Sequence, residues 1–257
     1  MTRHETFDTP IAQKELVLAT DLDGTFLGGT EDDRKKLYAF IEANRARVGL
    51  IFVTGRDPGF INDIVRKRGV PLPDYVVGDV GTTIATMGED NHLRPIPELE
   101  AEIADAWGEA SARVQAALHH SRGLKLQSTG FRYRVSFDID PVHFDPKAHD
   151  IVAELGLDTL VSDGKYFDVL PKGVSKGPSL LRLLSYLDVK NDRVLVAGDT
   201  LNDLSMLTLG LPAVAVGGSE PALLEEVRGH DHVHIADGVG VAGIAEAILK
   251  KQMFKAA

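Results

Sequence analysis

The chain has 257 residues, with 28 lysines and arginines against 38 aspartates and glutamates, so its formal charge is −10. It contains no cysteine, which excludes disulfides, thiolate zinc sites, iron–sulfur clusters and a cysteine nucleophile. The acidic balance also argues against nucleic acid as a main partner, because most of the surface would repel a phosphate backbone.

Residues 1–13 lack the apolar stretch of a secretory signal, and no window of the sequence is apolar over the length of a membrane span. We therefore expect a cytoplasmic protein with no membrane partner. The first predicted element is a buried strand over Leu16–Thr20, which stops at Asp21-Leu22-Asp23-Gly24. Thr30 is the predicted N-cap of the helix that follows, since acidic residues fill its first turn.

A second apolar run, residues 48–53, ends at Thr54-Gly55-Arg56, and Asp57-Pro58 opens the next predicted helix. Strands that alternate with helices at this spacing predict a parallel sheet covered on both faces. The same pattern returns near the C-terminus, where residues 194–197 lead into Gly198-Asp199-Thr200. The two ends of the chain are thus predicted to form one α/β sheet.

The middle of the chain follows a different pattern. Residues 97–118 carry one apolar helical stripe, and residues 131–139 alternate, which places Arg132 and Arg134 on the face opposite Val135 and Phe137. Such alternation is typical of a sheet with one buried and one solvated face. We predict a second, α+β domain at residues 88–170, inserted between core segments 1–87 and 171–257.

Polar residues follow three of the predicted strands: Asp21 with Asp23, Thr54, and Asp199 with Asp203. Ligands of an open parallel sheet bind beyond the carboxyl ends of its strands, so these groups should converge on one site. The carboxylates would repel one another without a hard cation, and carboxylates with a backbone carbonyl and waters suit Mg²⁺.

Two alternatives concern the segment that begins at Asp21. Taken alone, it could be a turn with capping carboxylates. A calcium loop is excluded, because its sixth position holds Phe26 instead of glycine and its twelfth holds Asp32 instead of glutamate.

With these segments assembled, the sequence resembles the haloacid dehalogenase-like superfamily of phosphotransferases. Within it, the chain is most similar to sucrose-phosphate phosphatases and neighbouring glycosyl-phosphate phosphatases. The resemblance implies a Rossmann-like doubly wound parallel sheet core with an inserted α+β cap that selects the substrate. It rests on Asp21-Leu22-Asp23-Gly24-Thr25, Val53-Thr54-Gly55-Arg56, Gly173-Val174-Ser175-Lys176-Gly177 and Gly198-Asp199-Thr200-Leu201-Asn202-Asp203, and for the closer match on Pro73-Asp74-Tyr75, Val80-Gly81-Thr82 and the stretch from Gly164 to Pro171.

Chemistry and resemblance together suggest catalytic roles. Asp21 would attack phosphorus and form an aspartyl-phosphate, while Asp23 would protonate the leaving alcohol and then deprotonate water. Lys176 would offset developing charge, and Lys172 is a rival for that role. The phosphoryl oxygens would be held by Thr54 and by backbone N–H groups near Leu22 and Gly55.

The predicted metal residues are Asp21, the backbone carbonyl of Asp23, Asp199 and Asp203, with Asp203 expected to lie in the outer shell of the ion. Asn202 would orient the substrate or the metal shell, or else cap a helix. Arg56 would meet the substrate, or else be an exposed loop arginine.

Four residues of the inserted domain are candidates to contact the rest of the substrate. Arg132 and Arg134 would roof the site, with a solvated strand face as the equal alternative. Lys165 and Asp168 resemble sugar-contacting positions, but their odd spacing places them on opposite faces of a regular strand unless a turn or bulge intervenes.

Three alternating histidines, His230, His232 and His234, could form a zinc or nickel site on one strand face. We favour the simpler interpretation, a polar surface strand.

The predicted function is Mg²⁺-dependent hydrolysis of a small phosphorylated sugar, a disaccharide or glycoside phosphate. Alternatives are a phosphomutase of the same superfamily, an enzyme acting on mannosyl-phosphoglycerate, for which Arg132 or Arg134 could clamp the carboxylate, and a non-catalytic sugar-phosphate sensor. The sequence does not indicate the oligomeric state.

Overall fold

The computed structural model describes residues 9–67, 69–162 and 164–255. The chain divides into two compact units, one made of the residues up to Pro95 and from Lys176 onward, the other of Ile96–Ser175. No helix in the described ranges combines the length and hydropathy that a membrane span needs.

The first unit is built on a sheet that contains eight strands among the described residues. Its elements before residue 96 are β1 (Leu16–Thr20), α1 (Glu31–Ala43), β2 (Val48–Val53), α2 (Pro58–Lys67), β3 (Tyr75–Gly78), β4 (Thr83–Met87) and β5 (Leu93–Pro95). Its later elements are α6 (Lys176–Tyr186), β10 (Val194–Gly198), α7 (Leu204–Leu207), β11 (Ala213–Gly217), α8 (Pro221–Val227), β12 (Val233–Val239) and α9 (Val241–Lys250).

The strands lie in the order β12-β11-β10-β1-β2-β3-β4-β5, and those from β12 to β3 are parallel. Every residue of β1, β2 and β10 is buried. One face packs on α1, α2 and α9, and helices α6 and α7 contact strands of the same sheet as well. Uniform apolar runs are expected where helices cover both faces, and the predicted doubly wound α/β core is confirmed.

Strands β4 and β5 are antiparallel to their neighbours and extend this sheet. The predicted boundary at residue 88 therefore differs from the observed one at residue 96, because Gly88 lies in the turn of the β4–β5 hairpin. The other boundary falls at Ser175 instead of residue 170, since β9 and the turn after it belong to the second unit.

The second unit is an α+β fold. Its elements are α3 (Pro97–Trp107), α4 (Ala110–Leu118), β6 (Leu124–Leu126), β7 (Val135–Ile139), α5 (Lys147–Glu154), β8 (Leu157–Ser162) and β9 (Tyr166–Pro171). The strands form an antiparallel sheet in the order β6-β7-β9-β8. Trp107, Val114, Phe137, Val152 and Phe167 form the centre of its own hydrophobic core.

Two predicted elements of this unit were wrong in detail. The single helical stripe over 97–118 is split into α3 and α4, because Gly108 adopts a left-handed backbone with φ 54° and ends α3. The alternating segment 131–139 is a strand only from Val135 onward, because the pairing with β9 begins at Val135 and the pairing with β6 begins at Phe137.

Candidate active site

Three parallel strands of the large sheet bring the candidate residues to one edge. Strand β1 pairs with β2 on one side and with β10 on the other, so the direction of strand addition reverses at β1. Asp21, Thr54 and Asp199 directly follow the three strands. Ligands of open α/β sheets bind at such a reversal, beyond the carboxyl ends of the strands.

A buried lysine joins two of the carboxylates. The Nζ atom of Lys176, the first residue of α6, donates to Asp21 Oδ1 at 2.7 Å and to Asp203 Oδ1 at 2.6 Å. It also donates to Asn202 Oδ1 at 2.7 Å. An ammonium group has three protons, so these three acceptors satisfy it. Lys172, the predicted rival, is exposed in the turn after β9.

Asp203 also organises the loop after β10. Its Oδ2 accepts from the backbone N–H groups of Asp199 at 2.9 Å and Thr200 at 3.1 Å, while Oδ1 binds Lys176. Both carboxylate oxygens are thus engaged with this chain. In Asp21 and Asp199, by contrast, Oδ2 accepts no hydrogen bond from the described residues.

Two residues of the turn after β1 contact Asp199. Gly24 has φ 79°, and a Cβ atom there would lie 2.1 Å from Asp199 Oδ2, so only glycine fits. The hydroxyl of Thr25 donates to Asp199 Oδ1 at 2.6 Å. Neither residue has a role in the predicted site, although both directly follow Asp23 in the sequence.

The loop after β10 has a further support that sequence reasoning missed. The side chain of Glu220 accepts from the backbone N–H of Leu201 at 2.8 Å, and its own N–H donates to the carbonyl of Asp199. Nothing in the local sequence around Glu220 indicated this contact.

Burial sets the protonation of the cluster. Desolvation raises the pKa of Asp21 well above its ordinary value, although Lys176 acts in the opposite direction. Desolvation, together with the charges of Asp203 and Glu220, raises the pKa of Asp199 to about 7 against the pull of Thr25 and Lys176. Burial alone would lower the pKa of Lys176, but Asp203 and Asp21 outweigh it and raise that pKa. The three carboxylates therefore need more positive charge than Lys176 alone supplies if all of them are to be ionised.

These residues fit a divalent metal ion. Carboxylate oxygens of Asp21, Asp199 and Asp203 all lie within 4.8 Å of one another. Three carboxylates and the ammonium of Lys176 leave two negative charges, which a divalent cation would neutralise. Oxygen donors of this kind suit a hard cation, and Asp21 and Asp199 have the oxygens to offer it. Asp203, although predicted among the metal residues, has both of its oxygens engaged.

Asp23 binds a different partner from the residues of this cluster. Its half-exposed carboxylate binds Arg56 through two hydrogen bonds, of 2.8 and 3.1 Å, and the guanidinium of Arg56 lies 4.6 Å from the ring centre of Phe60. The backbone N–H of Arg56 donates to the hydroxyl of the buried Thr54 at 3.1 Å. Arg56 therefore connects the loops that follow β1 and β2. Leu22 and Gly55 lie in these loops, and since the Leu22 side chain is buried in the core, its backbone is what it can offer to the site.

The candidates in the second unit bind partners of that same unit. The Arg132 guanidinium binds both oxygens of Glu100 in α3. Arg134 donates to Asp168 Oδ1 at 3.2 Å, the same oxygen that accepts from Ser136, and it lies over the ring of Phe131. Both guanidinium groups thus pair with carboxylates of their own unit, Arg132 at a half-exposed position and Arg134 at a buried one. Lys165 is exposed in the turn before β9, whereas Asp168 is buried within β9.

We expect Arg134→Met to destabilise the second unit by about 3 kcal/mol at pH 8, because the buried carboxylate of Asp168 would lose its counter-ion. Burial already raises the pKa of Asp168 in spite of Arg134, and losing Arg134 would raise it further. The loss of stability should therefore grow as pH rises through the raised pKa of Asp168 in the folded wild type, and be small at lower pH, where Asp168 is protonated in the folded state of both proteins.

Fluorescence of Trp107, the single tryptophan, reports unfolding of this unit directly, because its ring lies in the unit's core. The matched control is Arg132→Met, whose arginine is 46% exposed and should cost below about 1 kcal/mol. Equal losses in the two variants at pH 8 would contradict the prediction.

The three histidines near the C-terminus do not lie together on one strand. His232 bonds the carbonyl of Leu207 and His234 bonds Glu246, and of the three histidines β12 includes His234 alone. Within the described ranges, the possible metal cluster is the one formed by Asp21, Asp199 and Asp203. Because His230 and His232 precede β12, the alternation does not place the three side chains on one strand face.

One family model and several known proteins are similar to this chain. A family model described as sucrose-6F-phosphate phosphohydrolase matches residues 14–250. A glucosylglycerol-phosphate synthase from Pseudomonas anguilliseptica is 40% identical over 235 residues, which are 91% of this chain but 30% of the synthase. A mannosylfructose-phosphate phosphatase from Agrobacterium fabrum is 27% identical over 87% of this chain and 93% of its own length.

Among solved structures, the sucrose-phosphatase from Synechocystis sp., in complex with sucrose and phosphate, matches with a TM-score of 0.83 at 24% identity. The match covers 93% of this chain and 99% of the other. It supports the fold described above.

Proposed function

The chain belongs to the sucrose-6F-phosphate phosphohydrolase family, and on that premise we propose that it hydrolyses the phosphate ester of a small glycoside in a Mg²⁺-dependent reaction. The match of the family model to residues 14–250 confirms the family predicted from the sequence motifs. The observation that carries the proposal is the buried cluster in which Lys176 binds Asp21 while Asp199 lies close by. Such a cluster offers an oxygen nucleophile and positive charge at one point.

The proposed nucleophile is Asp21. Lys176 holds its Oδ1, which leaves Oδ2 to attack phosphorus in line with the departing alkoxide. The new bond between Asp21 and phosphorus forms as the ester bond breaks, and water later breaks the acyl-phosphate bond to release inorganic phosphate. Because burial raises the pKa of Asp21, positive charge nearby is needed to keep this carboxylate ionised.

The proposed acid and base is Asp23. Its half-exposed carboxylate can reach an oxygen outside the buried cluster, protonate the leaving alcohol and then accept a proton from water. Arg56 would orient Asp23 through its two hydrogen bonds. The Thr54–Arg56 loop would hold the phosphoryl oxygens, with Lys176 offsetting their charge.

A bound Mg²⁺ would supply charge stabilisation to the phosphoryl oxygens. Asp199 and Asp21, whose Oδ1 keeps a second lone pair beside its bond to Lys176, are the side chains that would hold it, together with the backbone carbonyl of Asp23. Asp203 would keep Lys176 and the loop after β10 in place.

For the substrate, we place glucosylglycerol phosphate first. The 40% identity is to part of a protein named for making that compound, and a hydrolase of this family could act on the same product. Sucrose phosphate comes second, because the matching family model is named for its hydrolysis. Mannosylfructose phosphate comes third, because a phosphatase named for it is 27% identical to this chain.

The test is the release of inorganic phosphate from a panel of these three compounds and mannosyl-phosphoglycerate. We expect kcat/KM for one of them to exceed that for a generic aryl phosphate by about 100-fold or more, since contacts to the leaving group contribute to transition-state binding. An isomerised sugar phosphate in place of free phosphate would instead identify a phosphomutase. No turnover of any of these compounds would overturn the proposal.

Removal of the metal should abolish turnover. We expect EDTA to lower kcat by about 100-fold or more and Mg²⁺ to restore it, because the ion contributes several kcal/mol of charge stabilisation. Mg²⁺ should also raise the Tm of the wild type, since it binds the folded state, and this rise should be lost in Asp199→Asn. The same Mg²⁺-induced rise in Tm in Asp199→Asn and in the wild type would contradict this assignment.

A further inference from the structure

The segment between β3 and β4 has an unusual backbone. Asp79, Val80 and Gly81 have consecutive φ angles of 51°, 60° and 101°. A β-branched residue such as Val80 rarely adopts this left-handed region, and such strain persists only where surrounding contacts hold it. We name residues 79–82 the strained turn.

The strained turn binds the backbone of the loop after β2. The N–H of Asp79 donates to the carbonyl of Arg56 at 3.1 Å, and the N–H of Val80 donates to the carbonyl of Thr54 at 3.1 Å. These two bonds hold the loop on both sides of Gly55. The proposed phosphoryl-binding loop thus takes its position from the strained turn.

The same turn also binds the helix that carries Lys176. The hydroxyl of Ser179 donates to the carbonyl of Gly81 at 2.7 Å. Ser179 is fully buried and lies three residues after Lys176 in α6, so both side chains lie on one side of the helix. The strained turn therefore lies between the Thr54 loop and the first turn of α6.

Side-chain hydrogen bonds hold the turn in this shape. The hydroxyl of Thr82 donates to the carbonyl of Asp79 at 2.9 Å. The hydroxyl of Thr83, the first residue of β4, donates to Asp79 Oδ2 at 2.7 Å. Asp79 and both threonines are buried, so these bonds form away from bulk water.

We infer that the strained turn sets the distance between the phosphoryl-binding loop after β2 and Lys176, with Ser179 and Thr83 as positioning residues. The inference rests on the proposed function. The carboxylates of the candidate metal site accept their hydrogen bonds from other groups of the described chain, those of Lys176, Thr25 and the loop after β10. Loss of the Ser179 or Thr83 hydroxyl should therefore weaken the binding of phosphate and leave the binding of Mg²⁺ unchanged.

The test measures binding of inorganic phosphate and of Mg²⁺ alone by calorimetry, together with kcat, in Ser179→Ala and in Thr83→Val. Each variant removes one hydroxyl donor with little change of volume. We expect the Kd for phosphate to rise about three- to tenfold in each, the range for the loss of one hydrogen bond, with a parallel fall in kcat. The Kd for Mg²⁺ should stay within about twofold of the wild-type value, which is about the precision of such a measurement.

The matched control is Thr208→Ala, which removes a hydroxyl bond to a backbone carbonyl at the end of α7, away from the strained turn. Thr208→Ala should lower Tm as much as Ser179→Ala and Thr83→Val do, and it should leave phosphate binding unchanged. Unchanged phosphate binding in both variants, or an equal loss of Mg²⁺ binding, would overturn the inference alone. A wild-type protein that binds no phosphate would overturn the proposed function and this inference with it.

Discussion

Replacement of Asp21 by asparagine should lower kcat by about three orders of magnitude or more, because the amide cannot form the covalent phosphoryl intermediate. The fold should survive. Lys176 keeps Asp203 as its ionic partner, and the variant no longer buries the charge of Asp21, whose pKa burial raises. We expect a Tm equal to or above that of the wild type in EDTA.

Steady-state phosphate release and thermal unfolding measured on the same preparation test this prediction. The control is Asp192→Asn, the same chemical change at an exposed aspartate of the first unit. It should retain wild-type turnover. Wild-type activity in Asp21→Asn would remove the proposed nucleophile, and a large fall in its Tm would mean that Asp21 stabilises the fold instead.

Replacement of Lys176 by methionine should have the largest effect on stability of any single change in the site. The carboxylates of Asp21 and Asp203 would remain buried without their cation, and breaking such a pair costs about 3–5 kcal/mol. The contact to Asn202 would be lost as well. Turnover should fall with stability, since the charge that faces the transferring phosphoryl group is lost.

Chemical denaturation in EDTA measures this loss. Lys172→Met is the matched control, because it makes the same change four residues earlier at an exposed position. It should change stability by less than about 0.5 kcal/mol and leave kcat unchanged. If the two variants were equally stable, the buried lysine would not be the counter-ion of the cluster.

The sequence predicts the core of the fold well, for a simple physical reason. Strands buried on both faces must be apolar throughout, so the runs at Leu16–Thr20 and Val48–Val53 mark the centre of the sheet. The polar residue at the end of each run then falls at the edge where ligands bind. Periodicity cannot show that β4 and β5 join the same sheet, because a hairpin next to a domain boundary has the same local pattern as a linker.

Contacts between residues far apart in the chain could not be predicted from the sequence. Gly24 and Asp199 lie far apart in the chain but close together in the structure. This close approach is the reason why the residue after Asp23 must be glycine. The pairing of Arg134 with Asp168 likewise depends on the register of two strands, and alternation suggested only a solvated face. The strain at Val80 has no local signal, because valine is an ordinary residue for the end of a strand.

The order of strands in the large sheet has a consequence for synthesis of the protein. Strand β1 lies between β2 and β10, yet Val17 pairs with Val194, which leaves the ribosome long after it. Until then the nascent chain carries a largely apolar strand with one unpaired edge, a known risk for misassembly. The second unit has its own core and can fold during this interval. Lys176 and Asp199 also emerge late, so Asp21, the proposed nucleophile, meets Lys176 only when the central strand gains its last neighbour.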